Sequence, residues 1–342
     1  MRLVTFEHAG TVAAGVVGPG GDGERVYPFH DGRTVLDAVA LGLDGLRDLG
    51  SRALARQDGS VPVAEVRLLA PLQPPTIRDF VAFEEHVEGV ILSMSTEASV
   101  RPEWYAAPRF YFTNPYAVVG PRDDVAVPPG CEVFDFELEV AAVIGRVGAD
   151  LSPQQARDHI VGYTILNDWS ARDLQRAEMQ VGLGPAKGKD SATTLGPWLV
   201  TADELEPFRD DEGFLRLRMS VELNGVEVGR DLLSNMGWPF EELVAHASRG
   251  TVVRPGDVLG SGTCGNGGCL AELWGRRGAQ DPPPLRPGDV VTMTVEGIGT
   301  ISNRVVPGRD PIPLPPARIR PRDRGCSGRG FGPRNRGRPG DG

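Results

Sequence analysis

The chain has 342 residues, hydrophobic residues at 40%, charged residues at 24% and a formal net charge of −10. That length and composition support one large or two unequal folded domains and exclude a disulfide-stapled miniprotein. No apolar run approaches the roughly 20 residues that cross a bilayer. The opening MRLVTFEHAGTVAAGVV alternates and carries charge early, so neither a signal peptide nor a membrane anchor is expected, and the expected location is cytoplasmic.

Residues 1–72 read as a small β-rich N-terminal domain. Strands are expected at 3–6, 11–17 and 25–27, followed by a helix over 34–49 with Leu36, Val39, Leu43 and Leu46 on one face, interrupted by Gly42 and Gly45. The proline-rich APLQPPT then reads as a linker into a main domain spanning 73–317. Phe80, Phe83, Val87, Val90 and Ile91 recur at the spacing of a helical apolar stripe, which would put Asp79 and His86 two turns apart at nearby azimuths.

Strand signals follow in FYFTN, YAVVG and CEVFDFELEVAAVIG, and VGYTILNDW reads as a buried strand leading into the polar helical run SARDLQRAEM. Two RPGDV turns, at 254–258 and 286–290, each precede an apolar stretch. Many strands with few helices predict an α+β fold. From Arg318 onward eight arginines and two aspartates give a local +6 among seven glycines, and so little apolar surface predicts a disordered Arg/Gly-rich tail over 318–342. The acidic remainder, at −16, argues against a body built to bind nucleic acid.

The four cysteines, Cys131, Cys264, Cys269 and Cys326, are too scattered for a disulfide framework, and no histidine near Cys264 and Cys269 suggests zinc. Of 36 basic residues only Lys187 and Lys189 are lysine. In a chain that avoids lysine, this pair reads as chemically required, because a planar guanidinium cannot replace a compact ammonium. GLGPAKGKD lacks the spacing of a phosphate loop, and GSGTCGNGG reads as a flexible loop near a site.

Strand alternation in FDFELEV puts Asp135, Glu137 and Glu139 on one face, where like charges are comfortable only if solvated or neutralised by a cation. Asp168, which ends a nearly continuous apolar strand, adds a further acid and favours the cation. Carboxylates alone select a hard ion, Mg2+, Ca2+ or Mn2+. On a helix that follows, Asp168, Arg172 and Gln175 would project together.

Together DFVAFEEH, DFELEVAAVIG, GYTILNDWSARDLQ, KGKDSATTLGPW and AELWG resemble, in order, the fumarylacetoacetate hydrolase family, over about 78–307. The resemblance implies a strand-rich mixed β-sandwich or β-roll of the fumarylacetoacetase C-terminal type behind a smaller N-terminal domain, and assembly as a homodimer. It carries metal binding to Asp79, Glu137, Glu139 and Asp168, and catalysis to His86, oriented by Glu272. Charge-stabilising roles fall on Lys189, Arg172 and Gln175, and substrate contacts on Tyr111 and Thr193. Shorter relatives place a glutamate three residues after the histidine, where this chain has Gly89.

The activity so implied is hydrolysis of a carbon–carbon bond in a diketo or 2-oxo acid, with His86 as general base. Ser95 and Met179 stand where the name-giving enzymes carry arginine and tyrosine. This points away from fumarylacetoacetate toward an acylpyruvate-like dicarbonyl or an intermediate of aromatic-compound catabolism. The alternatives are a 2-oxo acid decarboxylase, hydratase or isomerase with the same metal site, and a non-catalytic ligand-binding protein whose tail contacts RNA.

Overall fold

The computed structural model describes residues 1–21, 23–93 and 99–318. The expected tail, Arg318 excepted, and the position Ser95 lie outside the described residues. The N-terminal strands form at Arg2–His8, Thr11–Gly20 and Gly23–Pro28. The single helix expected over 34–49 is instead two, Val35–Val39 and Gly42–Arg56. Gly42 has φ +71°, a left-handed conformation that breaks the helical ladder and that glycine adopts without steric cost. Thr34 starts the first helix with a reciprocal cap: its Oγ1 accepts from the Asp37 N–H at 3.1 Å, and the Asp37 carboxylate accepts from the Thr34 N–H at 2.9 Å.

A long mixed sheet organises Met1–Asp310. Side by side from Arg2–His8 to its edge run Thr193–Thr201, Ile160–Asp168, Leu138–Ile144, Val258–Gly260, Ile77–Phe80 and the edge strand Phe110–Thr113. The pairing of Val258–Gly260 with Ile77–Phe80 is parallel, the others along this path antiparallel. Through Arg2↔Val200 and Leu3↔Leu199 the first strand joins residues 1–72 to this sheet. A second sheet orders Val226–Leu232, Arg218–Leu223, Val290–Val295, Gly299–Val306 and Val125–Ala126. With the helices packed about these sheets, the fold is α+β.

The helix expected to begin near Phe80 starts later. Ile77–Phe80 is a strand held between two others, and only Glu84–Leu92 is helical. Asp79 and His86 therefore sit on different elements, and the apolar character of Phe80 reflects sheet burial. Both RPGDV segments turn through a glycine in the left-handed region, Gly256 at φ +88° and Gly288 at φ +103°. In each, the aspartate accepts the N–H of the arginine three residues back, at 3.0 Å for Asp257 and 2.7 Å for Asp289. The same turn chemistry thus launches two strands.

Every residue of Leu138–Ile144 is buried, because this strand has a core on each face. Leu138, Val140, Ala142 and Ile144 pack with Met219, Val221, Val291 and Met293 of the second sheet. Ala141 and Val143 face the opposite core with Leu3, Val16 and Leu46. Burial on both sides explains the nearly unbroken apolar run. At about 1.5–3 kcal/mol per fully buried large apolar side chain, this strand anchors the structure that the acidic residues must tolerate.

Candidate active site

Three strands, Ile77–Phe80, Leu138–Ile144 and Ile160–Asp168, deliver the acids to one end of the long sheet, with Val258–Gly260 between the first two. Asp79 pairs in register with Gly260 on one side and Tyr111 on the other, while Leu138 faces Asn167 and Asp168 faces Thr193. Glu137 lies just before its strand, fixed by its N–H donating to Asn167 Oδ1 at 2.9 Å and its carbonyl accepting from the Asp168 N–H at 3.3 Å. One carboxylate oxygen each of Asp79, Glu137, Glu139 and Asp168 lies within 4.8 Å of the others. All four side chains are buried.

The donor set fits a hard divalent cation. Asp79 Oδ1, Glu139 Oε2 and Asp168 Oδ1 are buried with no hydrogen-bond partner, a costly state for carboxylates unless a cation compensates them. Burial pushes Asp79 up to about 8 and Glu139 well above the carboxylate range, each further raised by its acidic neighbours. Burial raises Asp168 as well, against the pull of Lys189. Space is kept by Gly260: a β-carbon there would stand 2.5 Å from Asp79 Oδ1 and 2.9 Å from Glu139 Oε2.

Two buried cations hold the other acids. Arg172 donates through Nε to Asp135 Oδ2 at 2.8 Å and through Nη2 to Glu137 Oε1 at 2.7 Å. Lys189 Nζ meets Glu137 Oε2 at 2.5 Å and Asp168 Oδ2 at 2.6 Å. Burial alone would raise Glu137; Lys189 and Arg172 overcome it and hold this carboxyl well below its usual range. The two lysines of KGK thus divide: Lys189 is buried, whereas Lys187 is exposed and pairs with Asp190.

The row of three acids is broken. Asp135 belongs to a short strand, Phe134–Asp135, and points to the start of helix Leu270–Arg277, accepting from the N–H groups of Leu270 at 2.8 Å and Ala271 at 3.0 Å. There it neutralises the positive end of the helix and anchors Arg172. Helix Arg172–Met179 forms as expected, and Gln175 Oε1 accepts from Arg172 Nη1 at 3.2 Å. Tyr111 donates to Asp168 Oδ2, and its hydroxyl lies 3.2 Å from Asp79 Oδ2. Thr193 is buried beside Asp168, its hydroxyl without a hydrogen-bond partner.

His86 and Glu272 do not form the expected pair. Glu272 Oε1 accepts from Arg276 Nε at 2.8 Å and Oε2 from the Gly267 N–H at 3.2 Å, while His86 Nδ1 faces Cys269 Sγ at 3.7 Å. The i,i+4 arginine on the same helix captures the glutamate. Glu272 also fills the room beside Gly89: a β-carbon there would lie 2.3 Å from Glu272 Cγ. A side chain at 89 and this placement of Glu272 exclude each other. Burial pushes His86 down to about 4, leaving its imidazole neutral at neutral pH, and pushes Glu272 up to about 7.

A cavity of about 760 Å³ opens onto these groups. Asp79, His86, Tyr111, Glu137, Arg172, Gln175 and Lys189 line it, together with apolar Phe110, Val90, Met179 and Trp274. Met179, one of the departures from the name-giving enzymes, is thus on the cavity wall. Sequence reasoning missed Asp135 as the anchor of Arg172, Gly260 as the spacer and Cys269 as the neighbour of His86. The last two carry no local signal, since their meaning depends on strands and helices distant in the chain.

An α+β sheet assembly whose strand ends gather four acids above a mixed polar and apolar cavity defines a class of small-molecule enzymes. The chain belongs to the fumarylacetoacetate hydrolase family: the fumarylacetoacetate (FAA) hydrolase C-terminal profile matches residues 76–306. It is 30% identical over 308 residues to a fumarylacetoacetase of Arabidopsis thaliana, covering 72% of each chain. It is also 31% identical over 244 residues to an oxaloacetate tautomerase of Bacillus subtilis, covering 71% of this chain and 74% of that one. Among solved structures, a 5-carboxymethyl-2-hydroxymuconate delta-isomerase from Mycobacterium smegmatis is similar with a TM-score of 0.63 and 27% identity, over 90% of this chain and 100% of that one. Among the described residues no helix is long and apolar enough to cross a membrane.

Proposed function

We propose that the protein hydrolyses a carbon–carbon bond in a diketo or 2-oxo acid, with a divalent cation, Mg2+ or else Ca2+ or Mn2+, held by Asp79, Glu137, Glu139 and Asp168. The observation that carries this reading is the convergence of four buried carboxylates, three with an uncompensated oxygen, beside a buried lysine on a cavity wall. A bound cation would supply Lewis-acid polarisation of a chelating substrate's oxygens.

The protein's own groups then divide the work. His86, neutral and on the cavity wall, takes a proton from water as general base, and the hydroxide so formed adds to the carbonyl. When the carbon–carbon bond breaks, enolate charge develops on the departing carbon skeleton. The Lys189 ammonium and the Gln175 amide, both on the cavity wall, stabilise that charge. Arg172, fixed by Asp135, holds Glu137 in place; Tyr111 lines the cavity beside Asp168, whereas Thr193, fully buried behind Asp168, supports that acid from off the cavity wall. Apolar Met179 and Phe110 suit an acylpyruvate-like side chain, while Arg109 and Arg176 on the same wall suit the substrate's carboxylate.

A second reading, tautomerisation, isomerisation or decarboxylation of a 2-oxo acid, draws on Glu272. Turned to Arg276, it is not the carboxylate that orients His86 for water activation, and one relative is an oxaloacetate tautomerase. A panel of 2-oxo and 1,3-diketo acids, incubated with Mg2+ or Mn2+ with and without chelator and followed by product mass, separates the two. Chelator-sensitive cleavage into two acids supports hydrolysis; products of unchanged mass or loss of carbon dioxide support the second reading. The same proposal includes a homodimer, tested by light scattering.

A further inference from the structure

We propose that His86, Cys269 and Glu137 form a second, inhibitory metal site, sharing Glu137 with the four-carboxylate set and selective for a thiophilic divalent cation of the zinc class, which when bound occupies the His86 lone pair and removes the base named above. One donor atom from each of the three residues lies within 4.8 Å of the others, and all three are buried. Cys269 Sγ and His86 Nδ1 stand 3.7 Å apart, close to the separation of two ligands on one tetrahedral ion. Imidazole and thiolate with a single carboxylate are softer donors than the oxygen-only set beside them, so the two sites sort cations by chemistry. His86 and Glu137 line the cavity, which gives an ion a route in and a solvent molecule the fourth position.

The fold holds these donors ready. Cys269 is the N-cap of helix Leu270–Arg277, its sulfur accepting the Glu272 N–H at 3.4 Å, so its side chain is fixed at the helix start. Helix Glu84–Leu92, which carries His86, packs against that helix. Glu137 is shared, with Oε1 toward Arg172 and Oε2 toward Lys189, and each oxygen keeps a further lone pair.

Charge permits a second cation. Five carboxylates, Asp79, Asp135, Glu137, Glu139 and Asp168, surround two buried cations, Arg172 and Lys189, a formal −3. One hard dication leaves −1, and a second dication entering with Cys269 as thiolate brings the cluster to neutrality. On binding, the thiol proton leaves to solvent and the sulfur lone pair forms the metal bond. Without metal, burial keeps the Cys269 thiol protonated, well above its usual range.

The test uses the full chain, stripped with chelator, loaded with Mg2+ and titrated with Co2+, whose thiolate charge-transfer absorption in the near ultraviolet reports sulfur ligation. The expected result is a band that saturates at one equivalent and is erased by Zn2+. It is present in the natural chain and in Cys264→Ser and absent in Cys269→Ser. Serine retains an oxygen that caps the helix, and His86→Ala, expected to weaken Co2+ binding at least about tenfold, tests the site from a second residue. No band in the natural chain, or a band that survives in Cys269→Ser, overturns the proposal. The band is read without substrate, so its failure leaves the hydrolase reading standing, and a failed substrate panel leaves the band untouched.

Discussion

Gly260 is the register partner of Asp79 across two parallel strands, and a β-carbon built on it would stand 2.5 Å from Asp79 Oδ1. The same β-carbon would reach 2.9 Å from Glu139 Oε2, so a residue without a side chain is what allows two carboxylates to share one end of the sheet. Gly260→Ala should fold, since the obstacle is two side-chain oxygens, yet weaken Mn2+ binding by at least about tenfold, or roughly 1.4 kcal/mol. Titration calorimetry on the natural and variant chains measures this directly.

The two lysines make an internal comparison. Lys189→Arg must fit a planar fork where a point charge now meets Glu137 and Asp168 at 2.5 and 2.6 Å. Turnover should fall by about a hundredfold or more, a barrier increase of roughly 2.7 kcal/mol. Lys187→Arg, at an exposed position, should leave it within about threefold. Equal effects at the two positions would remove Lys189 from the account.

Arg172 is a structural as well as a chemical commitment. Its guanidinium spans Asp135 and Glu137, both buried, and Arg172→Met would take the cation from Asp135, leaving it only backbone N–H groups, and leave Glu137 to Lys189 alone. A loss of about 3–5 kcal/mol is expected for breaking one side of such an ion pair. Denaturant unfolding reads it, with Arg249→Met, an exposed residue, as the reference.

Glu272 sets a pH dependence. Its folded carboxyl is raised from 4.5 to about 7, chiefly by burial against the opposing pull of Arg276. Between those two values the unfolded chain has lost the proton that the folded chain keeps, so this group's contribution to stability falls as pH rises from about 4.5 to 7 and is level above. Glu272→Gln, which cannot ionise, should show a smaller loss of stability across that window than the natural chain. Parallel unfolding curves at pH 5 and pH 7.5 provide the check; identical losses would mean that Glu272 titrates normally.

Much of the site was legible because its signals are local. Glu137 and Glu139 in an otherwise apolar strand, Asp168 at the end of another and two lysines in an arginine-rich chain each stand out against their neighbours. What could not be read was set by long-range register. Strict alternation put Asp135 with Glu137 and Glu139, but the strand breaks between them and Asp135 turns to a helix start far along the chain. The stripe from Phe80 to Ile91 mixed a strand with a helix, because buried sheet and amphipathic helix both show apolar residues at short spacing. The partner of Glu272 was decided by Arg276 one helical turn away, a competition invisible to a motif match.

The central claim is that Asp79, Glu137, Glu139 and Asp168 together hold one hard divalent cation. Calorimetric titration of the chelator-stripped full chain with Mn2+, set against Glu139→Gln, tests it most directly. One ion per chain is predicted, with affinity reduced by about a hundredfold or more in the variant, roughly 2.7 kcal/mol. A folded natural chain that takes up no Mn2+, or a Glu139→Gln chain that binds it undiminished, would contradict the account.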